Sequence, residues 1–126
     1  LGPVIKLLGF HSDLDSDDLV ALATDVVGER LTLTHALAGD PYGMLELTAP
    51  GVTKASTLAL LCAELGIAAA DVVAFGDMPN DLAMLAWAGR GYVVANGHRT
   101  LFAAGFTQVA ANDEDGVGRT VLELLR

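Results

Sequence analysis

The chain is poor in cysteine, in basic residues and in long apolar runs. It has a single cysteine, Cys62, in 126 residues. No intramolecular disulfide can form, and a reducing, cytoplasmic setting is the default expectation. Seven Lys and Arg stand against sixteen Asp and Glu, a net charge of −9. That balance repels a nucleic-acid backbone or an anionic membrane surface, so neither is expected as a partner. No segment approaches the roughly 20 apolar residues of a membrane span, and no signal peptide is evident. No G-x-G-x-x-G follows an apolar run, which argues against a dinucleotide-binding module. Internal repeats and low-complexity segments are absent too. The first residue is Leu1 and not methionine, as expected of a processed or truncated chain.

What is present is a large apolar fraction, 52% of residues, which is enough to build a core and argues against general disorder. Val4–Phe10 reads as a strand. The polar segment that follows supplies Asp15 or Ser16 as a helix cap, with Asp17 and Asp18 in the first turn against the helix dipole. Leu19, Leu22, Ala23 and Val26 recur at helical spacing, and Gly28 is a natural stop. Leu31–Leu37 alternates like a half-buried strand, AGDPYG is turn chemistry, and Met44–Leu47 is a further short strand.

Beyond these residues the pattern changes. Leu58, Leu61, Cys62 and Leu65 predict one apolar stripe on a helix from Lys54 to Leu65, closed by Gly66. Apolar strands are expected at Val72–Phe75, Tyr92–Ala95 and Thr107–Ala110. Helices at Asp81–Ala88, at Thr100–Ala104 and around Val117, Val121 and Leu124 alternate with them. Strands apolar on both faces that alternate with helices predict an α/β fold with a buried parallel sheet.

In open α/β sheets, ligands sit beyond the carboxyl ends of the strands. Asp77 stands there, two residues past Phe75, with Asn80 and Asp81 three and four residues further on. Gly76 is expected to allow a sharp turn, and Pro79 suits the first position of a helix. These oxygens fit a hard cation such as Mg²⁺, which takes one or two carboxylates, a substrate phosphate and waters. The plainer reading is that Asp77 and Asp81 only cap a helix. Lys54 opens a helix, the wrong end for a cation, so it is either solvated or paired with an anion. Asn96 and His98 follow the next strand and can contact a ligand, although an Asn96–Gly97 turn serves equally. The acids of ANDEDG, 111–116, either cap the last helix or lie near the cation, and capping is the favoured expectation. His11 and His35 lack metal-ligand spacing and read as structural, and Trp87 and Phe102 read as core.

The stretches GVTKASTLALLCAELGI, VVAFGDMPNDLAMLAWAG, VVANG and ANDEDGV resemble the C-terminal part of haloacid dehalogenase-like (HAD) phosphatases of the Cof-type branch. The similarity runs from about Leu45 to the end of the chain. It rests on a lysine that opens a helix, followed by an apolar strand that runs into GDxxND. The resemblance implies a partial α+β cap domain over residues 1–47. It implies the C-terminal half of a Rossmann-like core over 48–126. The family uses Mg²⁺ and an aspartate nucleophile that forms an aspartyl-phosphate, later hydrolysed by water. By that resemblance Lys54 neutralises nucleophile and phosphate, Asp77 binds Mg²⁺ and Asn80 contacts phosphate. Asp81 either supports the metal shell or orients Lys54.

One departure is large. The family's nucleophile stands in a DxDGT-type motif that this sequence does not contain. Asp13 and Asp15 have the spacing but lack the following Gly-Thr, and they fall where the cap is expected. The early phosphate-binding Ser or Thr is missing as well. The leading expectation is a Mg²⁺-dependent phosphatase of small phosphorylated metabolites such as sugar phosphates, whose nucleophile lies outside this chain. The alternative is an inactive or truncated domain that binds a partner, self-associates, or is completed by an N-terminal segment across an unpaired sheet edge.

Overall fold

A computed structural model describes residues 4–36 and 42–126. The chain divides into two compact units, Leu1–Thr53 and Lys54–Arg126. The expected AGDPYG turn falls largely outside the described residues.

The first unit contains β1 (Leu7–His11), α1 (Ser16–Val27), β2 (Thr32–His35) and β3 (Gly43–Thr48). Position 47, the expected end of the first domain, lies inside β3. The sheet is antiparallel in the order β1-β3-β2, with Gly9 opposite Leu45 and Leu33 opposite Leu47. Asp15 caps α1 by accepting the Asp18 N–H at 2.9 Å. Leu19 of α1 and Leu45 of β3 are buried, and Ser16 Oγ accepts the Met44 N–H. Gly43 lies under α1, where a Cβ would come within 2.7 Å of the Leu14 and Asp15 carbonyl oxygens. His35 Nε2 meets Asp17 Oδ1 at 2.9 Å, and His11 Nδ1 accepts the Asp13 N–H. The first contact joins β2 to α1 across 18 residues, and the second is local. Asp13 follows a strand of an antiparallel sheet, which is not the setting of a nucleophile at a parallel strand's carboxyl end.

The second unit runs α2 (Lys54–Leu65), β4 (Val73–Gly76), α3 (Leu82–Trp87), β5 (Arg90–Val94), α4 (Arg99–Ala103), β6 (Thr107–Val109) and α5 (Gly116–Leu124). The sheet is parallel, in the order β4-β5-β6, as the alternating strands and helices predict. Gly66, at φ +69°, ends α2, a left-handed conformation that favours glycine. Ala74 and Val93 bury one face of the sheet against Leu85 of α3 and Leu101 of α4. Phe75 and Tyr92 are partners in register and stack on the opposite face at 5.2 Å between ring centroids.

The burial departs from the expectation of strands covered on both faces. Only Cys62 of the α2 stripe is fully buried, while Leu61 and Leu65 are 50% and 63% exposed. Phe102, expected in the core, is exposed, and Trp87 is half-buried. The physical reason is a shortage of neighbours: a three-stranded sheet with its own helices covers one face well and the other in part. Apolar periodicity reports which face wants cover, not whether this unit supplies it.

Leu101 is fully buried and Leu122 is 61% exposed. Leu101→Ala is expected to lower stability by about 2–5 kcal/mol, through lost transfer energy and a residual cavity. Leu122→Ala is expected to stay within about 0.5 kcal/mol. Urea unfolding of the two variants against the parent chain checks the pair.

Candidate active site

The site is built on the turn that leaves β4. Gly76 ends the strand, Asp77 and Met78 follow, and Pro79–Asp81 form a single 3-10 turn that leads into α3. The helix expected from Asp81 thus begins one residue later, and Pro79 opens the turn before it. Asp81 folds back over the strand end. Its Oδ2 accepts the N–H of Asp77 at 3.0 Å and of Met78 at 3.1 Å. Asp81 makes no side-chain cap bond to α3, so the expected helix cap is replaced by a carboxylate that closes the 3-10 turn before it.

The other carboxylate oxygen has a different partner. Lys54 Nζ, at the start of α2, donates to Asp81 Oδ1 at 2.5 Å and to Asn80 Oδ1 at 3.2 Å. This answers the puzzle of a cation at the wrong end of a helix. Asp81 is 3% exposed, whereas the Lys54 side chain is 51% exposed. The aspartate is therefore fixed inside the unit, and it anchors a lysine whose positive charge remains accessible from solvent. A carboxylate this well buried needs such partners, because an unpaired buried charge is strongly destabilising.

Gly76 contributes in a way the sequence did not reveal. A sharp turn was expected of it, yet its φ is not positive. Its role is space: a Cβ there would stand 2.6 Å from the Asp81 Cβ and 3.0 Å from Oδ2. Only glycine lets Asp81 come close enough to reach both backbone N–H groups.

Asp77 is exposed at the carboxyl edge of the sheet. Its carbonyl oxygen accepts the His98 N–H at 2.7 Å, which ties it to the turn after β5. In the expected metal pair of Asp77 and Asp81, the two residues are not equivalent. Both Asp81 oxygens are engaged by Lys54 and backbone N–H groups, which matches the role of orienting Lys54. Asp77 presents a carboxylate at the exposed edge. Among the described residues no cluster of three or more His, Cys, Asp or Glu could enclose a metal. A Mg²⁺ ion does not require one, since it is commonly held by one or two carboxylates, waters and substrate phosphate. An exposed carboxylate such as that of Asp77 is the kind of oxygen donor such an ion takes, whereas both Asp81 oxygens are already engaged by protein groups.

The acids of 111–116 do not cap the last helix as expected, and their hydrogen bonds lie in the 3-10 turn Asn112–Glu114 before it. Glu114 reaches the Ala111 N–H at 3.4 Å, and Asn112 Oδ1 accepts the Asp113 N–H. Asp115, the residue that precedes α5, adopts φ 55° and makes no side-chain cap bond. Asn96 pairs with Asn112 across the carboxyl edge, a contact between residues sixteen positions apart that no local pattern encodes.

With this geometry in hand, comparison with known proteins places the chain. Residues 2–121 match the family model of the haloacid dehalogenase-like hydrolases. The chain belongs to this family. It is 33% identical over 120 residues to the 5-amino-6-(5-phospho-D-ribitylamino)uracil phosphatase YitU of Bacillus subtilis (strain 168), a match over 95% of this chain and 44% of that protein. A solved haloacid dehalogenase-like hydrolase from B. subtilis superposes with a TM-score of 0.75 at 26% identity, over 90% of this chain and 38% of that one. The solved subclass IIB sugar phosphatase BT4131 shares the fold, with a TM-score of 0.77 at 21% identity over 95% of this chain and 43% of its own. The chain spans less than half the length of the relatives it matches.

Asp81→Ala leaves the Asp77 and Met78 N–H groups without this acceptor and removes the carboxylate partner of the Lys54 ammonium, which keeps only Asn80 Oδ1. The expected loss is about 1–3 kcal/mol of stability in the second unit, measured by denaturant unfolding. Gly76→Ala should approach the same loss by displacing Asp81 sterically. A neutral result for both variants would contradict this account of the turn.

Proposed function

We propose that the chain carries the lysine and metal-binding half of a Mg²⁺-dependent phosphatase acting on small phosphorylated metabolites such as sugar phosphates. The observation that carries this reading is the arrangement of Lys54, Asn80 and Asp81 beside Asp77 at the carboxyl edge of a parallel sheet. Family membership supports it, and the YitU relative is by name a phosphatase of a phosphoribityl compound.

Each residue has a definite task. Two donors of the Lys54 ammonium hold Asp81 and Asn80, and its exposed charge neutralises an incoming phosphoryl group. Asn80 lies on the same edge and would contact a phosphate oxygen. Asp77 would hold Mg²⁺, which supplies charge stabilisation for the transferring group. Asp81 keeps the lysine aimed and stays out of the first coordination shell. The aspartyl-phosphate forms on a nucleophile that residues 1–126 do not contain, since neither Asp13 nor Asp15 has the required setting.

A second reading has its own observation. β4 is an edge strand among the described residues, and Leu61 and Leu65 of α2 stand exposed. A surface of this kind fits a partner-binding module, with a second copy or a complementing segment as partner. A 126-residue chain that is monomeric at high concentration in size-exclusion chromatography, and active by itself, would defeat this second reading.

The test of the first reading is hydrolysis of p-nitrophenyl phosphate by the full-length gene product. Activity is expected to vanish with EDTA and to return with Mg²⁺. Asp77→Ala and Lys54→Met are each expected to lower kcat/KM by about 10²-fold or more, the scale of losing a preorganised charge partner. Unchanged activity in Asp77→Ala would remove the metal assignment.

A further inference from the structure

Strand pairing in the parallel sheet stops short of the site. The β4–β5 ladder ends at Gly76 opposite Val93, and the β5–β6 ladder ends at Val94 opposite Val109. Past those pairs the three carboxyl-end segments have no ladder to hold them, and the twist of a sheet spreads them apart. Three observations show how they are held instead.

The first is the hydrogen bond from the His98 N–H to the Asp77 carbonyl oxygen at 2.7 Å, which joins the turn after β5 to the turn after β4. The second is a two-bond ring between side chain and loop. Asn96 Oδ1 accepts the Asn112 N–H at 3.1 Å, while Asn96 Nδ2 donates to Asn112 Oδ1 at 2.7 Å. The backbone donor settles which end of the Asn96 amide is oxygen. Asn112 Oδ1 accepts the Asp113 N–H as well, at 2.8 Å. The third is Gly97, between Asn96 and His98. Its N–H bonds to the Val94 carbonyl at 2.9 Å. A Cβ there would stand 3.0 Å from that oxygen, 3.2 Å from Val93 Cγ1 and 3.3 Å from the Asp77 carbonyl oxygen. The β5 turn is thus pressed against the backbone of Asp77 on one side and tied to Asn112 on the other.

We propose that Asn96 and Asn112 are positioning residues that set the placement of Asp77 through the His98–Asp77 hydrogen bond. The three carboxyl-end segments act as one strap. Asn112 is the far anchor, Asn96 the link and residues 97–98 the contact with Asp77. Neither asparagine touches substrate in this account. The proposal rests on the phosphatase reading for its kinetic consequence, because Asp77 is there the Mg²⁺ ligand. Its structural content stands apart from that reading.

The experiment has two measurements on the full-length gene product. The first is hydrogen exchange of the His98 amide, which reports the tie to Asp77 whether or not the protein is a phosphatase. Asn96→Ala and Asn112→Ala are expected to speed it by about tenfold, the scale of one lost hydrogen bond. The ladder amides of β5 are expected to keep their rates. The second is Mg²⁺ titration of p-nitrophenyl phosphate hydrolysis. Either alanine variant is expected to raise the Mg²⁺ concentration for half-maximal rate by about three- to tenfold, with the KM for the ester at saturating Mg²⁺ within about twofold of the parent value. Asn112→Asp keeps both accepted bonds and is expected to restore the parent Mg²⁺ requirement. Unchanged His98 exchange overturns the strap. Faster exchange with an unchanged Mg²⁺ requirement overturns the link to Asp77. A parent protein with no Mg²⁺-dependent hydrolysis overturns the phosphatase reading, and the exchange data alone then decide the strap.

Discussion

The second unit depends on one buried carboxylate. Asp81 is almost fully enclosed, yet it carries a charge that must be matched at both oxygens. One oxygen gathers the N–H groups of Asp77 and Met78, and the other holds the ammonium of Lys54. The end of β4, the start of α3 and the start of α2 therefore meet at a single side chain. Because the carboxylate is desolvated, none of these partners can leave without exposing an unmatched charge to the interior. This cost makes the arrangement rigid, and rigidity is what a phosphoryl-transfer site needs from groups that act by position.

The same constraint sorts the charged residues by task. Asp77 and Asp81 are four residues apart and look alike on paper. Burial separates them: Asp81 spends its oxygens on protein groups, while Asp77 faces outward. Lys54 has an anchored base and an accessible charge. The hydrogen bonds at Asp81 serve two ends: they close the turn after β4, and they hold the Lys54 ammonium in place.

The other face of the unit has a different character. One side of the sheet is closed by Leu85 and Leu101, but the outward leucines of α2 remain uncovered.

Periodicity and punctuation in the sequence decided the alternation of strands and helices, the parallel sheet, the closing glycine of α2 and a cap at Asp15 or Ser16. All of these depend on neighbours within a few positions. The same holds for the edge on which Asp77, Asn80 and Asp81 stand, because position after a parallel strand is a local property, whereas the Lys54 ammonium reaches that edge only through a contact across 27 residues. Tertiary structure alone decided which acid is buried, why Gly76 must be glycine, and that Asn96 and Asn112 pair across sixteen residues. It also decided that Leu61, Leu65 and Phe102 stay exposed. Those outcomes follow from close approach and enclosure between segments distant in sequence, and no local pattern encodes the distance between two chains of atoms brought together by folding.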